Sequence, residues 1–125
     1  LFGLGKKSED TEHFTGDVYV KEISGFDKVM LMDSVTFAPG CINLWHIHQV
    51  GQTLFVTDGR GWYQEEGKPA QELHAGDIVD IPAGVKHWHG AAKDNALTHL
   101  AFEDWSKGAP EWLEKVAPAE YEKLD

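Results

Sequence analysis

Six of the chain's seven histidines fall between positions 46 and 99, and five of these, His46, His48, His87, His89 and His99, lie in or beside close-set pairs or apolar runs. An imidazole is both a common metal ligand and a proton carrier near neutrality, so their spacing is the first thing to read. In an extended strand residues two apart face the same side. His46 and His48 then form a chelating pair, with Trp45 and Ile47 on the other face. Gln52 follows the short turn Gln49-Val50-Gly51 and can bring an amide oxygen beside them, while His87 must arrive from a distant strand. Three neutral imidazoles plus one oxygen suit Zn, Mn, Fe, Co or Ni. A neutral amide in place of a carboxylate leaves the bound ion a stronger Lewis acid, held less tightly.

Each histidine also has a plainer reading. A single strand histidine is more often a hydrogen-bonded packing residue than a ligand, and one His-x-His pair arises easily by chance. His89 shares the His87 face but would crowd one metal, and His13 and His74 read as surface residues.

The elements needed to converge these side chains are strands. Between Phe14 and His99 glycines and turn residues punctuate β-branched and aromatic runs, and the pattern predicts strands over Gly16 to Ile23, Val29 to Phe37, Ile42 to His48, Gln52 to Thr57, Gly61 to Gln64, Ile78 to Ile81 and Leu97 to Phe102. Asp58 to Gly61 and Glu65 to Pro69 read as hairpin loops. Short strands at this spacing favour a sandwich or closed barrel, whose lumen can gather side chains from distant strands. Alternation along the last strand puts Leu97, His99 and Ala101 on one face. Trp45, Phe55 and Trp88 fall opposite the candidate ligands, suited to the barrel wall and a partner subunit, and Leu44, Val56, Phe37, Met30 and Met32 suit either a pocket or plain core. After Glu103 the spacing of Trp112, Leu113 and Val116 behind Pro110 predicts a short helix, and the residues from Pro118 to Lys123 a second.

The 125 residues suffice for one ordinary domain, read here as 1–125 with a core over 14–103 and a helical tail over 104–125. Eleven basic against twenty-one acidic residues give a net charge of -10, a poor balance for nucleic acid or anionic lipid. No apolar run approaches the roughly 20 residues that cross a bilayer, and Leu1 to Asp10 lacks a signal peptide's apolar segment. With Cys41 the only cysteine, a cytoplasmic setting is expected.

The glycine and proline positions around the histidines resemble the two motifs of the cupin superfamily. The first, Gly, five residues, His-x-His, three or four residues, Glu, six residues, Gly, appears as Gly40, His46-Ile47-His48, Gln52 and Gly59, with Gln52 where Glu is usual. The second, Gly, five residues, Pro-x-Gly, two residues, His, three residues, Asn, appears as Gly76, Pro82-Ala83-Gly84 and His87, with Ala91 where Asn is usual. Gly40 and Gly84 suit backbone geometries closed to bulkier residues, and Pro82 restricts the turn that aims His87.

The resemblance implies an all-β, double-stranded β-helix (jelly-roll) barrel with short C-terminal helices and one divalent metal on His46, His48, Gln52 and His87. The strings Gly51 to Thr57, Lys86 to Ala92 and Thr98 to Ala101 are similar to small single-domain bacterial cupins that include manganese-dependent hydroxynitrile lyases and proteins associated with carboxymuconolactone decarboxylases. This implies manganese as the ion, a small-molecule substrate, a lyase-like reaction with His99 as base, and a homodimer or higher oligomer. A metal-dependent dioxygenase or isomerase and a non-catalytic binding or sensing module are the competing readings. The acidic chain shows no helix-turn-helix pattern or basic patch for a DNA-binding sensor.

Overall fold

The computed structural model describes residues 2–23, 30–104 and 106–125, apart from the side chain of Met30. The described residues form β1 (Lys6–Lys7), β2 (Phe14–Thr15), β3 (Val18–Glu22), β4 (Met30–Phe37), β5 (Ile42–Asn43), β6 (His46–Ile47), β7 (Gln52–Glu65), β8 (Gln71–His74), β9 (Ile78–Ile81), β10 (His87–Ala91), β11 (Leu97–Asp104), β12 (Glu111–Trp112) and α1 (Pro118–Glu122). The strand expected to begin at Val29 starts outside the described residues, and Met30 as a pocket residue does too.

All pairings are antiparallel, and the strands form a sheet in the order β1-β3-β4-β11-β7-β10-β5-β2 that curls into a half-barrel. The long strand β7 belongs to both halves. Its start pairs with β11 and β9, and its end with β10 and β8. The hairpin expected over Asp58 to Gly61 is absent, and β7 runs straight through it. Gly59 has φ +85°, a Cβ there would collide with the Ala96 carbonyl, and the register with β11 shifts between Thr98 and His99. This glycine therefore bends a strand at a bulge, curling the sheet, instead of reversing the chain. The expected turn over Glu65 to Pro69 does lie between β7 and β8, and Gly40 and Gly84 do adopt positive φ, +82° and +79°.

The expected strand from Ile42 to His48 splits in two. At the break the Leu44 N–H donates to the His13 carbonyl (3.1 Å) and the Trp45 N–H to the Glu114 carbonyl (3.0 Å), so both terminal segments are stitched to the sheet here. The first of the two expected tail helices is not formed. Trp112 instead sits in β12, opposite His46 of β6. The apolar spacing fits a short helix equally well, but only a strand can pair with the exposed edge of β6. The second expected helix is present as α1, with Pro118 in its first turn.

Between the halves lies one core, which includes Val18, Phe37, Leu54, Val56, Leu73, Ile81 and Leu97. A second cluster, Ile42, Trp88, Val116 and Tyr121 with Trp45, Trp62 and Leu124 against it, joins the tail to the outer face of β10. The chain's own tail thus covers Trp88, and Tyr121 Oη donates to the Ala91 carbonyl at 2.7 Å. Burying each such aromatic contributes on the order of 2 kcal/mol, which ties β10 down from behind. Phe55, also expected in the wall, is 39% exposed.

Candidate metal centre

Register decides which side chains meet. Across β6 and β10 His46 stands opposite His87, and alternation along β10 puts His89 on the same face. On the far half of the barrel Gln52 of β7 stands opposite Glu103 of β11, and His99 lies on the Glu103 face. These faces enclose a cavity of about 380 Å³ whose walls include His46, His48, Gln52, His89, His99 and Glu103. All five histidines and Gln52 are buried.

The tightest group is His46, His87 and His89, whose ligand atoms lie within 4.8 Å of one another. His48 stands just outside it, with ring centroids 5.1 Å from His46 and 5.5 Å from His87. Of the side chains expected to converge, His46, His48 and Gln52 line the same cavity, with His87 4.2 Å from His46, ring to ring. The structure brings in His89, whose position on the His87 face leaves ligand and packing roles both open in the sequence.

Hydrogen bonds distinguish these imidazoles. His46 Nδ1 lies 2.7 Å from the Leu44 carbonyl and His87 Nδ1 2.9 Å from the Val85 carbonyl. A carbonyl only accepts, so in both rings Nδ1 carries the proton and Nε2 keeps its lone pair. This arrangement is common behind metal-bound histidines, where it sets the tautomer and orients the ring. His87 Nε2 is buried without a partner, and so is Gln52 Oε1. Such orphaned lone pairs are costly unless something fills them.

His89 is arranged differently. Asn43 Oδ1 accepts from the His89 backbone N–H at 2.9 Å, which leaves the Asn43 amide nitrogen 3.3 Å from His89 Nε2. An amide nitrogen only donates, so Nε2 accepts and the proton sits on Nδ1, buried and unpartnered. His89 therefore has its acceptor nitrogen engaged by Asn43 and carries its proton on the unpartnered Nδ1. His99 is 1% exposed, 5.0 Å from the His89 ring, and neither of its nitrogens has a hydrogen-bond partner.

Burial holds all five imidazoles neutral at physiological pH. His48 and His99 are pushed down to about 4, His46 and His89 lie well below the ordinary value, and His87 is lowered too; the neighbouring His87 adds to the effect at His46 and His48. Neutral imidazoles are the form a metal binds.

The rest of the cavity includes residues the sequence reading did not single out. Phe14, Val20, Val35 and Trp112 supply an apolar wall beside Phe37, which was expected there, and Asp33 and Glu103 add carboxylates. Burial raises the Asp33 pKa, with Glu22 adding to it. Trp112 lies 4.7 Å from the His46 ring and stacks on His13 at 4.4 Å. His13, read as a surface residue, is thus half-buried, with Nδ1 2.9 Å from Asp10. His74 is exposed as expected. Of the other proposed pocket residues, Leu44 and Val56 are buried, Val56 in the core. Signals for two of the missed residues were present. One more step in the alternation of Leu97, His99 and Ala101 reaches Glu103, and Asn43 lies three residues before His46.

A second hollow of about 450 Å³, between Ile42, Lys115, Val116 and Tyr121, contains none of the unpartnered buried polar atoms found among the described residues.

Comparison with known proteins agrees with this geometry. The (R)-mandelonitrile lyase of Granulicella tundricola is 50% identical over 91 residues, 72% of this chain and 70% of that protein. A cupin-like protein of Thermotoga maritima has a solved structure that superposes with a TM-score of 0.92 at 43% identity, over 99% of this chain and 96% of that one. A polyketide cyclase of Streptomyces resistomycificus shares the fold alone, with a TM-score of 0.76 at 11% identity over 97% of this chain and 85% of that one. The family model for the cupin domain matches residues 33–102, more than half of the chain, and with a barrel whose histidines line its lumen, the chain belongs to the cupin family.

Proposed function

We propose that the centre holds one divalent transition metal through His46, His48, Gln52 and His87, with manganese the favoured ion, and that the protein is a lyase acting on small aromatic hydroxynitriles. The observation that carries the centre is the pair of buried, unpartnered lone-pair atoms, His87 Nε2 and Gln52 Oε1, the first on a ring packed against His46 and His48 and the second in the cavity that those two line. The choice of His48 over His89 follows from tautomers. His89 Nε2 is already engaged by Asn43, and its other nitrogen carries the proton. The lyase reading draws on the similarity to the Granulicella (R)-mandelonitrile lyase.

Bound here, a divalent metal supplies Lewis-acid polarisation of a hydroxyl or carbonyl oxygen. The chain's own residues supply the rest. Phe14, Val35, Phe37 and Trp112 offer an apolar wall for an aryl group, and a cavity of about 380 Å³ accommodates a ligand of that size. His99 is neutral, with a free lone pair, as a general base must be. It takes the proton of the substrate hydroxyl. The oxygen's electron pair closes the carbonyl, the carbon–carbon bond to the nitrile breaks with its pair on cyanide, and the proton passes to cyanide. The products are an aldehyde and hydrogen cyanide.

The test is cyanide release from mandelonitrile by the protein reconstituted with Mn, Fe, Zn or Ni. Release that depends on manganese is expected. Stoichiometric metal with no release would overturn the lyase reading in favour of another metal-dependent reaction or a binding role, and no metal uptake would overturn the centre itself.

A further inference from the structure

We propose that Glu103 is a positioning residue that orients two ligands of the centre at once, Gln52 and His48, and returns to the site the negative charge that Gln52 lacks. The inference rests on the ligand set proposed above. Glu103 stands directly opposite Gln52 across the β7–β11 ladder, so both side chains rise on one face and meet: Gln52 Nε2 donates to Glu103 Oε1 at 2.7 Å. A carboxylate only accepts, which fixes the amide with its NH2 toward Glu103. The other end, Oε1, is then buried without a partner. An amide free to rotate would present its NH2 half of the time, and an NH2 group cannot serve as the oxygen ligand.

The second carboxylate oxygen acts on the neighbouring ligand. Glu103 Oε2 is 3.8 Å from His48 Nδ1, and the two side chains are 17% and 6% exposed, so solvent screens the attraction little. This favours the proton on Nδ1 of His48 and leaves Nε2 for the metal, the tautomer that the Leu44 and Val85 carbonyls impose on His46 and His87. One carboxylate thus fixes Gln52 by a hydrogen bond and biases His48 by its charge, at longer range than the main-chain carbonyls that set His46 and His87. It also places the carboxylate's negative charge one hydrogen bond behind Gln52 rather than among the ligands.

The experiment measures Mn2+ affinity by chelator competition, together with the electron paramagnetic resonance spectrum of the bound ion, on the full chain and three variants. The parent should bind and His87→Ala should not; failure of either would overturn the ligand set, apart from the role of Glu103. Given that result, Glu103→Ala should bind Mn2+ about 10- to 100-fold more weakly, with an altered spectrum. Glu103→Gln retains an acceptor oxygen for the Gln52 amide without the charge, and its affinity should fall between the two. Circular dichroism of the metal-free variants checks that each is folded. The orienting role is overturned if Glu103→Ala matches the parent in affinity and spectrum, or if Glu103→Gln falls to the level of Glu103→Ala.

Discussion

The lumen holds two pairs of histidines that differ in what locks them. In His46 and His87 a backbone carbonyl two residues earlier takes the Nδ1 proton, so rigid main chain points Nε2 outward as an acceptor. In His89 and His99 no backbone carbonyl forms such a hydrogen bond: a side chain, Asn43, sets one ring, and the other, near its own and the Leu100 backbone, has no hydrogen-bond partner at either nitrogen. Yet the four are almost equally buried, between 0% and 3% exposed. Burial alone therefore does not identify a ligand; the direction of the lone pair does. The first pair is built to hold a cation in place. The second offers a proton donor and an uncommitted base to whatever enters the cavity.

Removing a member of the second pair should separate the two roles. His99→Ala should keep the metal and lower cyanide release by about 10²-fold or more, as loss of a general base does. Unchanged turnover would take His99 out of the mechanism and leave it a packing residue.

A smaller effect sharpens the same contrast without metal. Burial holds His48 and His99 at about 4, whereas an unfolded chain titrates them near 6.5. The unfolded state therefore takes up protons first as pH falls. The stability of the metal-free protein is full above about pH 6.5, declines toward pH 4, and each of these two groups accounts for on the order of 3 kcal/mol of the loss. Urea midpoints across this range should show the decline, and His99→Leu should make it shallower. A pH-independent midpoint would mean that these rings are hydrated and do not face a closed lumen.

Much of this was legible in the sequence because glycine and proline act locally. Gly40, Gly84 and Pro82 mark backbone conformations that few other residues allow, and they carried both the barrel and the placement of His46, His48 and His87. What was not legible depended on partners distant in sequence. Gly59 reads as a turn until the Ala96 carbonyl opposite it is known, and Trp112 reads as helical until the open edge of β6 claims it. Glu103 and Asn43 show their meaning only through Gln52 and His89, which a register and not a motif brings to them.

The proposed centre turns most directly on the choice between His48 and His89 as the third imidazole, which manganese content after reconstitution can decide. His89→Ala should still take up close to one Mn2+ per chain, and His48→Ala should lose it. The reverse pattern, with His48→Ala loaded and His89→Ala empty, would contradict the tautomer argument and assign the centre to the compact group of His46, His87 and His89.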